Sequence, residues 1–191
     1  MGVVGENAFI DELSANDSAG FDKIINTFNG FKGRFKNAEQ LFVPQSILGY
    51  SIGVKQMFGE GYILCGNSTE FLDPVFLSGV TLDTASGLQA AKLVDKHLSG
   101  VSVNWQAEYE DLIREGVEVF RSHVNAWYNG DLQTIFFASK IQDEFKQQIC
   151  SVLAGYVWDK SNSFIKKHKT ILSTLAKVIT MNEENKSTIQ R

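Results

Sequence analysis

The sequence predicts an α/β chain that begins with short extended segments and becomes almost wholly helical toward its C-terminus. Three observations carry this: aromatic and β-branched runs punctuated by glycine before residue 66, a small-residue apolar stretch from Gly79 to His97, and apolar residues at helical spacing through most of 105–179. The 191 residues suffice for one ordinary domain with its own core, since domains run to ~100–200 residues. Hydrophobic residues make up 43% and charged residues 21%, close to the ~45–50% and ~25% of soluble globular proteins, so disorder is not the expectation.

Taken in order, Gly2-Val3-Val4-Gly5 reads as a strand that starts abruptly, as an internal piece of a longer protein would. From Phe21 to Phe42, apolar residues at Phe21, Ile24, Ile25, Phe28, Phe31, Phe35 and Leu41 keep near-helical spacing but are interrupted by Gly30 and Gly33, which predicts two short helices. Ser46–Met57 and Tyr62–Cys65 read as strands joined through the turn Gly59-Glu60-Gly61. Val80 to Val94 reads as a buried helix closed by Ser99-Gly100. A long helix is expected over Trp105–Trp127 with Asn129-Gly130 as its stop, then helices over Leu132–Ser139, Ile141–Ala154 and Ser163–Ile179, and a frayed polar tail from Asn182. The domain expectation is a partial cofactor and substrate region over 1–100 and a helical region over 101–191.

Charge and cysteine usage exclude several function classes. A net charge of -4 and scattered lysines argue against a nucleic-acid surface. The one basic cluster, Lys166, Lys167, His168 and Lys169, reads as a solvated helix face in preference to a binding patch. Cys65 and Cys150 lie far apart with no paired Cys/His spacing, which suggests neither a disulfide framework nor a zinc site and fits a reducing cytoplasm. No apolar run reaches the ~18 residues of a membrane span, and the start lacks signal-peptide character. His97, His123 and His168 share no spacing and read as surface or packing residues. The rings of Trp105, Trp127, Tyr128, Phe136, Phe137 and Trp158 read first as core.

The segment with chemical content runs from Gly61 to Val80: a strand, a polar loop, then a helix start. A helix start offers backbone N–H groups and about half a positive charge, which suits an anion or a cofactor edge where negative charge develops. Gly79 allows close backbone approach. On pattern alone, such strand-loop-helix junctions are usually only structural. The stretch resembles the second flavin-binding motif of FAD-dependent halogenases and related monooxygenases, reading here as Gly66-Asn67-Ser68, Phe71-Leu72-Asp73-Pro74 and Leu77-Ser78-Gly79-Val80. Val103-Asn104-Trp105-Gln106, Ala126-Trp127-Tyr128-Asn129-Gly130 and Val152-Leu153-Ala154-Gly155-Tyr156-Val157-Trp158-Asp159 are similar to the helical C-terminal region of the tryptophan-halogenase-like branch.

That resemblance implies a glutathione-reductase-like FAD-binding Rossmann fold, of which this chain would be the C-terminal part. It implies cofactor contacts from Gly66, Asn67, Asp73, Pro74, Ser78, Gly79 and Val80, with Asn67 replacing an acidic residue beside the ribityl chain and Ser78-Gly79 facing the flavin edge and a halide ion. It also implies a monooxygenase that uses reduced FAD and oxygen to oxidise halide or hydroxylate a small organic, indole or other aromatic, substrate, supplied with reduced flavin by a partner reductase. Leu77 stands where a serine is common, Asp83 where a small apolar residue is expected, and Ser163 where proline usually follows asparagine. No Gly-x-Gly-x-x-Gly turn, which holds the FAD pyrophosphate, occurs in the chain, and the resemblance implies that the family's catalytic lysine belongs with the half that carries that turn, so no catalytic or metal-ligating residue is assigned. The expectation is a portion inactive alone. The alternative is a stand-alone helical interaction module, or a decayed product without catalysis.

Overall fold

The computed structural model describes residues 2–12, 18–74, 76 and 78–189, and its backbone clusters into two units, Met1–Tyr50 and Ser51–Arg191. The small-residue helix lies in the second unit, where it packs with the helices that follow it.

The first unit holds α1 (Asn7–Glu12) and α2 (Ser18–Thr27). Beyond α2 the chain turns rather than forming a second helix: Phe31 N–H donates to the carbonyl of Phe28, and Arg34 N–H to that of Phe31, one turn at a time. Gly33, at φ 72°, sits in a conformation that ends helical continuity. The strand expected at Gly2–Gly5 is absent, since no segment pairs with it among the described residues.

The second unit opens with two small antiparallel ribbons. Strand β1 (Ile52–Gly53) pairs with β4 (Glu70–Phe71), and β2 (Phe58–Gly59) pairs with β3 (Tyr62–Ile63) across the turn at Gly61, where φ is 77°. The long strand expected over 46–57 shrinks to two residues because side chains of a later helix satisfy its backbone. Arg114 donates to the carbonyls of Val54 (3.1 Å) and Lys55 (2.8 Å), and Glu110 accepts from Met57 N–H (3.0 Å). Between β3 and β4 lies a 3-10 turn, Gly66–Ser68.

The expected small-residue helix forms as α3 (Ser78–Leu98), closed at Gly100 with φ 81°. The next helix enters through a π turn, Gln106–Glu110, and continues as α4 (Asp111–Tyr128). Tyr109 and Glu110 of the π turn are both buried. Gly130 ends this helix, and α5 (Asp131–Phe136) and α6 (Asp143–Leu153) follow close to their expected spans. The last expected helix is split into α7 (Ser163–Lys166) and α8 (Ile171–Ile189). Asn162 caps α7 by accepting from Phe164 N–H at 2.8 Å. Ser163 is therefore the first helical residue, where a proline would equally fit. Helix α8 carries on through the polar segment read as frayed, as far as Ile189.

One apolar cluster holds the second unit together, with Leu82 and Leu93 of α3, Tyr109, Ile113 and Phe120 of the π turn and α4, Leu132 and Ile135 of α5, Ile149 and Val152 of α6, and Phe164 and Leu172. The aromatic set divides: Trp127 stacks edge-on against Phe76 (5.8 Å), Trp158 donates to the Leu112 carbonyl (2.8 Å), and Phe137 is 80% exposed. Gly116 is the small residue that admits Trp158, since a Cβ there would lie 2.5 Å from its ring. No helix among the described residues is long and apolar enough to cross a membrane.

Candidate functional site

The 3-10 turn and the start of α3 come together, so Gly66, Asn67 and Gly79 form one place. Gly66 is buried at φ 59°. A Cβ on Gly79 would stand 3.1 Å from Asn67 Oδ1, which puts the Asn67 carboxamide directly over the helix start. Ser78 is buried as the first residue of α3, Gly79 is half-buried and Val80 is 69% exposed. The first-turn amides of this 21-residue helix have no i-4 carbonyl partner within the helix itself.

Side chains from two other elements fix the turn by its backbone. Asp83 Oδ1 accepts from Asn67 N–H (2.8 Å), and Ser86 Oγ accepts from Gly66 N–H (2.7 Å) while donating back to the Leu82 carbonyl. Tyr109, from the π turn, donates its phenol to the Leu64 carbonyl and lies 3.6 Å from Cys65 Sγ. Burial, with the Cys65 thiol beside it, pushes the Tyr109 phenol well above its ordinary pKa, so it stays a proton donor throughout the physiological range. Ser68 and Thr69 close the turn on themselves, donating to the carbonyls of Cys65 (2.6 Å) and Gly66 (2.7 Å). With its backbone N–H taken by Asp83, Asn67 is left exposed, its carboxamide making no hydrogen bond to another described residue.

Asp73 and Pro74 lie in the strap between β4 and α3. Asp73 is buried and accepts from the Tyr128 phenol (2.7 Å) at the end of α4, next to the Phe76–Trp127 contact. Pro74 is exposed in a turn. Asp73 thereby ties the strap to the end of α4. Leu77, the first departure from the motif, lies outside the described residues. Asp83, the second, is neither buried nor at the first turn: it is exposed, and its carboxylate caps Asn67. Below α3, the turn after α6 presses on the first turn: a Cβ on Gly155, at φ 99°, would fall 2.4 Å from Thr81 Oγ1.

Sequence reading missed Ser86, Tyr109, Tyr128 and the Glu70–Arg121 pair (2.7 Å) that anchors β4 to α4. The signals were faint: a serine in a buried stripe, and a tyrosine and an arginine on the inner face of a long helix. Glu70 and Glu118 hold the Arg121 guanidinium charged against the burial that opposes it. No group of three or more metal-ligating side chains is assembled among the described residues.

No family model matches the chain. A crystal structure of a flavoprotein/dehydrogenase from Cytophaga hutchinsonii superposes with TM-score 0.87 at 45% identity, covering 94% of this chain and 44% of that one. A 1H-pyrrole-2-carbonyl-peptidyl-carrier protein brominase of Pseudoalteromonas luteoviolacea is 24% identical over 161 residues. The corresponding chlorinase of Pseudomonas fluorescens is 27% identical over 146 residues. Over most of its own length this chain is thus similar to halogenases and to a flavoprotein. It spans 38% and 31% of the lengths of those two halogenases, and 82% and 72% of its own residues are matched. Its fold is that of a mostly helical part of a flavoprotein. Both halogenases are named for a pyrrole held on a carrier protein, whereas the blocks quoted from this chain had suggested the tryptophan-type branch.

Proposed function

We propose that this chain, similar to halogenases, supplies the flavin-edge portion of an FAD-dependent monooxygenase of the halogenase family that oxidises halide or hydroxylates an electron-rich aromatic substrate. The observation that carries the reading is the hold on Gly66-Asn67: Asp83 and Ser86 each occupy a backbone N–H, leaving the Asn67 carboxamide and the α3 start directed at one another. That arrangement suits a flavin. A carboxamide both donates and accepts, as a ribityl hydroxyl requires, and a neutral helix start favours an anionic ring edge or a halide. When bound, reduced FAD supplies the activation of oxygen.

In this reading Asn67 orients the ribityl chain, and the amides of Ser78, Gly79 and Val80 face the ring edge. Gly66 gives the turn its left-handed backbone, and Gly79 keeps the approach clear of side chains. Asp73 and Pro74 act through the strap that sets the position of α3. A substrate tethered to a carrier protein fits the two curated relatives better than free tryptophan, and a separate reductase delivers the reduced flavin.

The test grafts this chain into the Cytophaga hutchinsonii flavoprotein in place of its matching portion and reads flavin retention by absorbance. Gly79→Val is expected to lose flavin, because a β-branched side chain fills the space facing Asn67. Asn67→Asp keeps flavin and Asn67→Leu weakens it. Equal flavin content in all three variants would remove this turn from the cofactor site.

A further inference from the structure

The stretch 160–181 contains five lysines, at 160, 166, 167, 169 and 177, and no aspartate or glutamate. In a chain of net charge -4, this +5 segment leaves -9 on all the remaining residues together. The five lysines are exposed: Lys160 just before α7, Lys166 at its end, Lys167 and Lys169 in the corner after it, and Lys177 on α8. Among the described residues only Lys160 has an ion-pair partner, Glu115 at 3.0 Å. The corner is thus a lysine-rich surface on an otherwise acidic molecule, with Lys166, Lys167, Lys169 and Lys177 outside any ion pair among the described residues. A solvated helix face, the plain reading of Lys166–Lys169 by itself, does not account for acidic residues being excluded over the whole stretch.

A cavity of about 270 Å³ opens beside this corner, between α4 and α8. Arg121, Ser122 and Asn125 bound it from α4, and His168 and Lys169 from the corner. His168 Nδ1 and Ser122 Oγ are 2.6 Å apart, which pins the corner to α4. Glu118 and Asp131 also reach the cavity. The two carboxylates in its lining, and the acidic remainder of the molecule, disfavour a continuous polyphosphate backbone more than a folded acidic domain that also carries donors. A protein surface presents donors along with its carboxylates and can meet both signs.

We infer that the α7–α8 corner, with the cavity beneath His168, is the docking surface for an acidic carrier domain that presents the tethered substrate. The choice of partner rests on the proposed function. The surface itself rests on the charge and the cavity.

The experiment titrates the 191-residue chain with a purified, net-negative holo peptidyl-carrier domain and follows binding calorimetrically at low and at high salt, with no flavin present. Saturable binding that weakens with salt is expected, because exposed charges are screened beyond about 8 Å at physiological ionic strength. Reversing Lys166, Lys167 and Lys169 to Glu weakens it by about tenfold or more. The corresponding Gln triple variant loses an intermediate amount, and melting temperature reports that each variant is folded. Lys169→Glu weakens binding more than Lys92→Glu on α3, which makes the same change in net charge. Absence of binding at low salt, equal losses for Lys92→Glu and Lys169→Glu, or tighter binding of duplex DNA than of the carrier domain would each overturn the inference. Flavin retention in the grafted protein is read separately, so either reading can fail without the other.

Discussion

Gly66→Ala is the substitution through which the turn can be measured most directly. At φ 59° an alanine enters the left-handed region, at about 1–2 kcal/mol. The new Cβ would also lie 2.0 Å from Asp83 Oδ1 and 3.2 Å from the Asp83 backbone. The carboxylate can swing aside, but only by releasing Asn67 N–H, which it now holds at 2.8 Å. A hydrogen bond to a charged acceptor contributes about 1.5–3 kcal/mol, less where solvent reaches it, as it does here. Taking the low end of that range, the two effects sum to about 3 kcal/mol. Urea unfolding of the 191-residue chain reads the change, with amide exchange at Asn67 as the local probe. In an Asp83→Ala background the same alanine has only the backbone cost, so its effect falls to about 1–2 kcal/mol. Equal costs in the two backgrounds would refute the steric coupling between Gly66 and Asp83.

Gly116→Ala places a Cβ 2.5 Å from the Trp158 ring; overpacking of this kind costs about 1–3 kcal/mol, and Trp158 fluorescence should shift as its bond to Leu112 is lost. Burial holds His123 below the ordinary histidine value of 6.5. The unfolded chain therefore binds the extra proton first, and stability present above pH 6.5 drains away as pH falls toward the lowered value. His123→Gln should flatten that slope, which can reach about 1.4 kcal/mol per pH unit for one proton; the part that remains belongs to His168, which is lowered by its own burial and by Lys169. An unchanged slope in His123→Gln would show that His123 does not titrate there. The 191-residue chain by itself is expected to leave added FAD free, since one exposed helix start contributes only ~0.3–1 kcal/mol and no Gly-x-Gly-x-x-Gly turn is present; stoichiometric quenching of flavin fluorescence would contradict this.

Elements with strong periodicity or strong punctuation were legible. Helix α3 follows from its run of small and apolar residues, the β2–β3 hairpin from Gly59 and Gly61, and the end of α4 from Asn129-Gly130. Strand β4 was not, because two residues carry no period and its partner lies 17 or more positions away. The π turn was invisible for a similar reason: Tyr109 and Glu110 fit a continuous α-helix in sequence, and only the loop that they grip shows why the helix widens. At the site, the motif pointed to Gly66, Asn67 and Gly79, which the fold brings together, but its Asp73 and Pro74 lie on the strap. Asp83 looked anomalous when judged by its own helix, because its partner is a backbone amide 16 residues earlier.

The π turn also sets how tolerant the chain is of change in length. An α-helix advances about 100° per residue, so deleting one residue from Gln106–Glu110 would let a regular helix form but rotate everything after it by that angle relative to the loop before it. Tyr109 and Glu110 grip the loop at one end of this helix, while Arg121 and Tyr128 hold β4 and the strap at the other. The two sets of contacts are in phase only with the additional residue present. Insertions and deletions between Trp105 and Asp111 should therefore be far rarer among functional descendants of this sequence than substitutions at the same positions. A library that scores single-residue deletions along the helix would record that asymmetry as a sharp minimum at its entrance.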